Sequence, residues 1–166
     1  MRTRLAAATV TLLTTLLALA GCASGPRLLP VTITGPLELS DNTLSVTGEA
    51  VDEGIICPEV TWTGRDYEDL EGSELTLEDL EHMADDAKDV QWFDSFECTD
   101  GSGTFVVLHR QLLSRGEMDF EGYNETASWE VSSGTGNYTD LVGEGTFILD
   151  FVEGVVVNEG AVAASW

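Results

Sequence analysis

The residues of this chain that are suited to chemistry are few and widely spaced. Beyond residue 22 there are two cysteines, Cys57 and Cys98, and two histidines, His82 and His109. His109 follows the apolar run Phe105-Val106-Val107-Leu108 and precedes Arg110. Facing a core beside a carboxylate, it would be an acid/base group; a hydrogen-bonded core or rim histidine is the plainer role. His82 lies among carboxylates and reads as an exposed residue. With 30 Asp and Glu, a pair of carboxylates is arithmetically easy to find, so none is singled out for acid catalysis. Fourteen of them fall between Asp66 and Asp100, against the single basic residue Lys88. Calcium requires clustered oxygen ligands at defined spacing. Here Asp94, Glu97, Asp100 and Gly101 only hint at such a loop, and a solvated acidic face is expected. The run Gly134-Thr-Gly136-Asn-Tyr-Thr139 lacks the third glycine and the βαβ context of a dinucleotide loop. No catalytic residue, metal site or cofactor follows from these residues.

The first residues carry an address. Arg2 and Arg4 precede an apolar, charge-free stretch from Leu5 to Ala20. A positive start, a short apolar run and small residues at its exit make a secretory signal. The run is also short for a bilayer-spanning helix, which needs about 20 apolar residues. Leu19-Ala20-Gly21-Cys22 resembles the bacterial lipobox. The resemblance implies a diacylglyceryl group on the Cys22 thiol, cleavage before it and acylation of the new amino group. Several acyl chains, palmitate among them, give stable anchoring rather than marginal association. The expected location is the extracytoplasmic face of the cell membrane. Ala18-Leu19-Ala20 also fits an ordinary cleavage site, which would release a secreted protein.

Residues 22–166 suit one domain with one core. Two of the seven basic residues leave with the signal, so five remain against 30 acidic ones, a net charge of −25. Such a surface repels nucleic-acid phosphates and anionic headgroups, so the lipid must hold the membrane. Cations and basic proteins are the electrostatically allowed partners, although a charged coat for solubility needs no partner. In an oxidising compartment Cys57 and Cys98 read as a disulfide. The other readings are weaker. A zinc site wants clustered histidines, and a nucleophilic thiol wants a basic neighbour.

Most of the chain alternates with period two. Val31/Ile33, Leu44/Val46, Val60/Trp62, Ala127/Trp129/Val131 and Phe147/Leu149/Phe151 each face away from polar neighbours, the mark of half-buried strands. Phe105–Leu108 is apolar on both faces. Trp92–Phe96 and Val155–Ala164 bring the candidates to eight, which suggests an antiparallel barrel or sandwich. One segment differs. Leu77, Leu80, Ala84 and Ala87 recur at helical spacing after Thr76, a capping-box-like start with Asp79. The spacing predicts an amphipathic helix from about Leu77 to Lys88, inserted between strands. In Ser133–Phe147, Gly134 and Gly136 are expected at positive φ, Asn137 as an N-cap, Tyr138 and Leu141 on one face of a helical turn, and Gly143 as its left-handed end.

The tryptophan strand followed by G-T-G-x-Y-x-x-L-x-G-x-G-T, together with Cys98-Thr-Asp-Gly-Ser-Gly-Thr-Phe, resembles small secreted barrels similar to the allene oxide cyclase and dirigent folds. The likeness covers Cys98 to the C-terminus and, loosely, the first strands. It implies a mainly β protein, an antiparallel eight-stranded barrel with one inserted helix, and supplies no catalytic residue. The expected organisation is a signal at 1–21, a tether at 22–29 and a barrel over 30–166, with an acidic helical insertion at about 66–90. The expected function is a lipid-anchored, non-catalytic binding or structural barrel whose partner is a small apolar ligand or a basic protein. A cyclase- or isomerase-type enzyme with its site in the barrel mouth is the alternative.

Overall fold

A computed structural model describes residues 26–36, 42–68, 74, 76, 89–112 and 124–164. Eight antiparallel strands succeed one another around a closed barrel. They are β1 (Leu29–Pro36), β2 (Thr43–Thr47), β3 (Glu59–Glu68), β4 (Asp89–Cys98), β5 (Thr104–Leu112), β6 (Asn124–Gly134), β7 (Leu141–Asp150) and β8 (Val155–Ala164). Each of the eight period-two or apolar runs falls on one strand, because the buried member of each pair lines the interior. Val31, Ile33, Leu44, Val46, Val60, Ala127, Trp129 and Phe147 are all buried. Phe151 is the exception, since β7 ends at Asp150 and residues 151–154 turn into β8.

One end of the barrel is stapled shut. The short helix α1 (Glu49–Asp52) comes after Gly48 and places Ala50 in the core. The chain then brings Cys57 to Cys98, and the two form a disulfide with Cα atoms 6.0 Å apart. Asp100 accepts a hydrogen bond from the Ser102 N–H and tightens the β4–β5 hairpin. Tyr138, in a 3-10 turn over Gly136–Tyr138, hydrogen-bonds Ser102 through its hydroxyl and packs edge-on against Phe105.

Several local expectations change here. Gly136 has the expected positive φ of 61°, but Gly134 does not. Gly134 is the last residue of β6, and glycine is needed there because a Cβ would collide with the Tyr138 carbonyl. Asn137 lies inside the 3-10 turn and is not its cap; Thr135 holds that position, without a side-chain cap bond. Gly143 does not end the turn in the left-handed region. It lies in β7, where Val162 fills the space of a side chain. Tyr138 and Leu141 are both buried, but they do not share a helical turn: Tyr138 ends the 3-10 turn and Leu141 opens β7. The acidic insertion is shorter at its margins than 66–90, since β3 runs to Glu68 and β4 begins at Asp89. The helix expected over Leu77–Lys88, with His82, lies outside the described residues, as does Cys22.

The interior is filled by pairing large residues with missing ones. Register places Tyr67, Trp92, His109, Trp129, Gly145, Gly160 and Val31 side by side around the barrel. Bulky rings crowd one side of this row, and the directly paired Gly145 and Gly160 lie on the other. The Trp129 indole crosses into their space. A Cβ on Gly145 would stand 2.6 Å from it, and one on Gly160 would meet it as well. Its N–H donates to the Glu159 carbonyl at 3.2 Å, which satisfies the one polar atom of a buried tryptophan.

A candidate site around Asp94 and His109

The barrel core contains charged residues. Alternation along β4 puts Trp92, Asp94 and Phe96 on the inner face, so the strand pattern itself inserts a carboxylate among aromatics. On β5 the same alternation points Phe105, Val107 and His109 inward. Arg65 arrives by a different route. Val60 and Trp62 face inward from even positions of β3, and strict alternation would then turn Arg65 outward. The β3–β4 register slips between Trp62 and Gly64, however, so that Trp62 pairs with Phe96 and Arg65 with Asp94. A bulge adds one residue to one strand and reverses the facing of the residues beyond it. Arg65 and Tyr67 thereby join Trp62 inside.

These side chains converge on Asp94. Arg65 donates through Nε to Oδ1 at 2.7 Å and through Nη2 to Oδ2 at 2.8 Å. Trp62 donates its indole N–H to Oδ1 at 3.0 Å, and Trp92 donates to Oδ2 at 3.2 Å. His109 Nε2 lies 3.1 Å from Oδ2 but out of line for a hydrogen bond, and neither ring nitrogen has an aligned partner. The His109 ring stacks on Trp92 with centroids 4.9 Å apart and planes 5° from parallel. Phe147 packs T-shaped against both rings, beside the stack. The Arg65 guanidinium is bordered by the rings of Trp92, Trp62 and Tyr67, the stacking that suits a planar, weakly hydrated cation.

The protonation states are set by these neighbours. Burial pushes the Asp94 carboxyl up, but His109 and the bidentate, positively charged Arg65 outweigh it and hold it well below the usual carboxylate range. Burial works against the Arg65 charge, and Asp94 more than restores it. For His109 burial dominates, the attraction of Asp94 offsets it only in part and Arg65 opposes a second charge, so its pKa falls below the ordinary 6.5. At neutral pH the cluster is a charged Asp94–Arg65 pair with a neutral imidazole beside it.

As chemistry, this cluster is closed. Asp94 already accepts from three side chains, and His109 is wholly buried. A base must reach its substrate's proton, and neither group does in this arrangement. A cavity of about 30 Å³ adjoins Asp94, Arg65 and the buried Asn158, and another of about 10 Å³ lies deeper among apolar residues. Sites for organic ligands usually measure roughly 300–1,000 Å³. A larger groove of about 550 Å³ lies against the strand surfaces of β5–β8, with Arg110, Ser128, Glu130, Glu144 and Thr146 in its lining.

Of the residues singled out in the sequence, His109 is brought to a carboxylate and Cys57 to Cys98, whereas Asp94, Glu97 and Asp100 do not form one calcium loop. Asp94 points into the barrel, Glu97 is exposed and Asp100 caps a hairpin. No group of three or more His, Cys, Asp or Glu is placed to hold a metal among the described residues. The pairing of Asp94 with Arg65 is not evident in the sequence. The signal for Asp94 is its alternation with Trp92 and Phe96; Arg65 has none, because its orientation depends on the bulge. No family model, curated protein or solved structure matches this chain.

Proposed function

We propose that this chain is a bacterial envelope lipoprotein, anchored through Cys22 on the extracytoplasmic face of the membrane, whose barrel is a non-catalytic binding or structural module acting through its outer surface. The supporting observation is the state of the interior. Its charged cluster is occupied by its own side chains, and the cavities lined by described residues there are the size of one or two waters. That favours a partner protein over a small apolar ligand, and the net charge of −25 beyond residue 21 favours a basic one. Native mass spectrometry of protein extracted from its own membrane tests this reading. The expected species carries acyl mass and a basic protein that dissociates at high salt. A stoichiometric small molecule retained in the barrel would overturn it.

A second reading has one observation in its favour. Asp94, His109 and Arg65 are juxtaposed midway along the barrel interior, and the likeness to allene oxide cyclase and dirigent barrels suggests cyclase or isomerase chemistry there. That reading requires His109 to become accessible, and the retained small molecule described above would be its first support.

A further inference from the structure

We propose that His109 is an acid sensor built into the barrel: below neutral pH its protonation opens the end of the barrel formed by the last residues of β3 and β5 and the first of β4. The geometry carries the argument. His109 lies flat against the face of Trp92, and Phe147 packs T-shaped against both rings, with both His109 ring nitrogens buried and unaligned with any acceptor. An imidazolium gains a second N–H, and here that group has no prepared partner. The nearby carboxylate of Asp94 is committed to Arg65, Trp62 and Trp92. A protonated His109 therefore competes with Arg65 for Asp94 Oδ2 or leaves the stack for water.

The surrounding charges do not change this. Among the described residues, the titratable groups facing the ring are Asp94 on β4 and Arg65 and Tyr67 on β3. β6, β7 and β8 present Trp129, Phe147 and Asn158, which do not titrate. Arg65 is the movable member: its side chain retains 27% of its exposure, against 3% for Asp94 and none for His109. If Arg65 yields, Asp94 keeps a cation and the guanidinium moves to solvent past Tyr67. The disulfide and α1 hold the opposite end of the barrel, so the opening is confined to the end that lacks them.

Linkage sets the size of the effect. A closed state that disfavours protonation loses population to an open state with an ordinary imidazole, by up to about tenfold per pH unit below 6.5, until the closed-state pKa is reached. Amide hydrogen exchange on the intact protein, corrected for the intrinsic pH dependence of exchange, reads this directly. Between pH 7 and 5, protection of the Trp92 and Leu108–Arg110 amides should fall by that factor in the wild type and in His82→Gln. It should stay constant in His109→Phe, whose ring fits the same stack. Protection near Cys98 should not change in any of them. Equal losses in wild type and His109→Phe, or equal losses at both ends, would overturn the proposal. Should His109→Phe fail to fold, the wild-type imidazole resonances decide. A His109 that titrates at or above 6.5 with no loss of protection is a tolerated cation and no sensor.

Discussion

Arg65 and Asp94 face each other across the β3–β4 ladder and share two hydrogen bonds, 2.7 and 2.8 Å long, inside the barrel. The pair exists because β3 bulges between Trp62 and Gly64. Removing either partner leaves the other buried without its counter-charge. Asp94→Ala should destabilise the protein by about 3–5 kcal/mol, and Arg65→Met by a similar amount. The double variant Arg65→Met/Asp94→Leu should cost less than either single change, as measured by urea unfolding. Additive losses would show that the two residues act separately.

Asp94 also fixes a pH dependence. Its folded pKa lies below the ordinary value of 3.8, so it contributes stability that is present above that value and lost as pH falls below it. His109 has a lowered pKa of the opposite charge type, so it too destabilises the fold in acid, starting from about 6.5. Unfolding free energy should therefore fall in two stages on acidification. His109→Phe should remove the upper stage and leave the lower one. A single transition shared by both proteins would contradict this.

The paired glycines give a packing test. Gly145→Ala and Gly160→Ala each press a methyl group into a backbone carbonyl of the paired strand, Glu159 and Glu144 respectively, and into the Trp129 indole, and overpacking of this kind costs at least roughly 1–3 kcal/mol. Gly64→Ala, where a Cβ meets nothing within 4 Å, should be close to neutral. Thermal unfolding of the three variants separates the cases, and a neutral Gly160→Ala would mean that the β7–β8 backbone and Trp129 can both give way.

The disulfide should matter most when charges are least screened. Cys57 and Cys98 close a loop with a sequence separation of 41, worth roughly 3–4 kcal/mol in the chain-entropy account. The loop contains most of the acidic run between Asp66 and Asp100, which favours an expanded chain. Reduction should lower the melting temperature, and by more at low salt. Free thiols at both positions in protein taken from the envelope would remove the basis for this.

Anchoring is tested at the other end of the chain. Cys22→Ser should abolish both the acyl mass and membrane association. A wild-type product beginning at an unmodified Gly21 would exclude the lipobox reading.

The strand sequence determined the eight strands and part of the core, because alternation of apolar and polar residues is a local property that register preserves; that the strands close into a barrel is seen only in the structure. Val31, Leu44, Val60, Trp129 and Phe147 could each be assigned to a buried face from their neighbours alone, and the two cysteines implied their own pairing in an oxidising compartment. What the interior does with its charges was decided only in three dimensions. The bulge after Trp62 turns Arg65 inward against the alternation, and Asp94 meets it from a strand 29 residues later. Gly143 reads locally as the end of a turn, yet its place is set by Val162 on another strand, and that of Gly145 by the Glu159 carbonyl and Trp129. A long-range contact leaves no periodic trace at either of its ends, so the acidic sequence could show that carboxylates were plentiful but not which one the barrel would enclose.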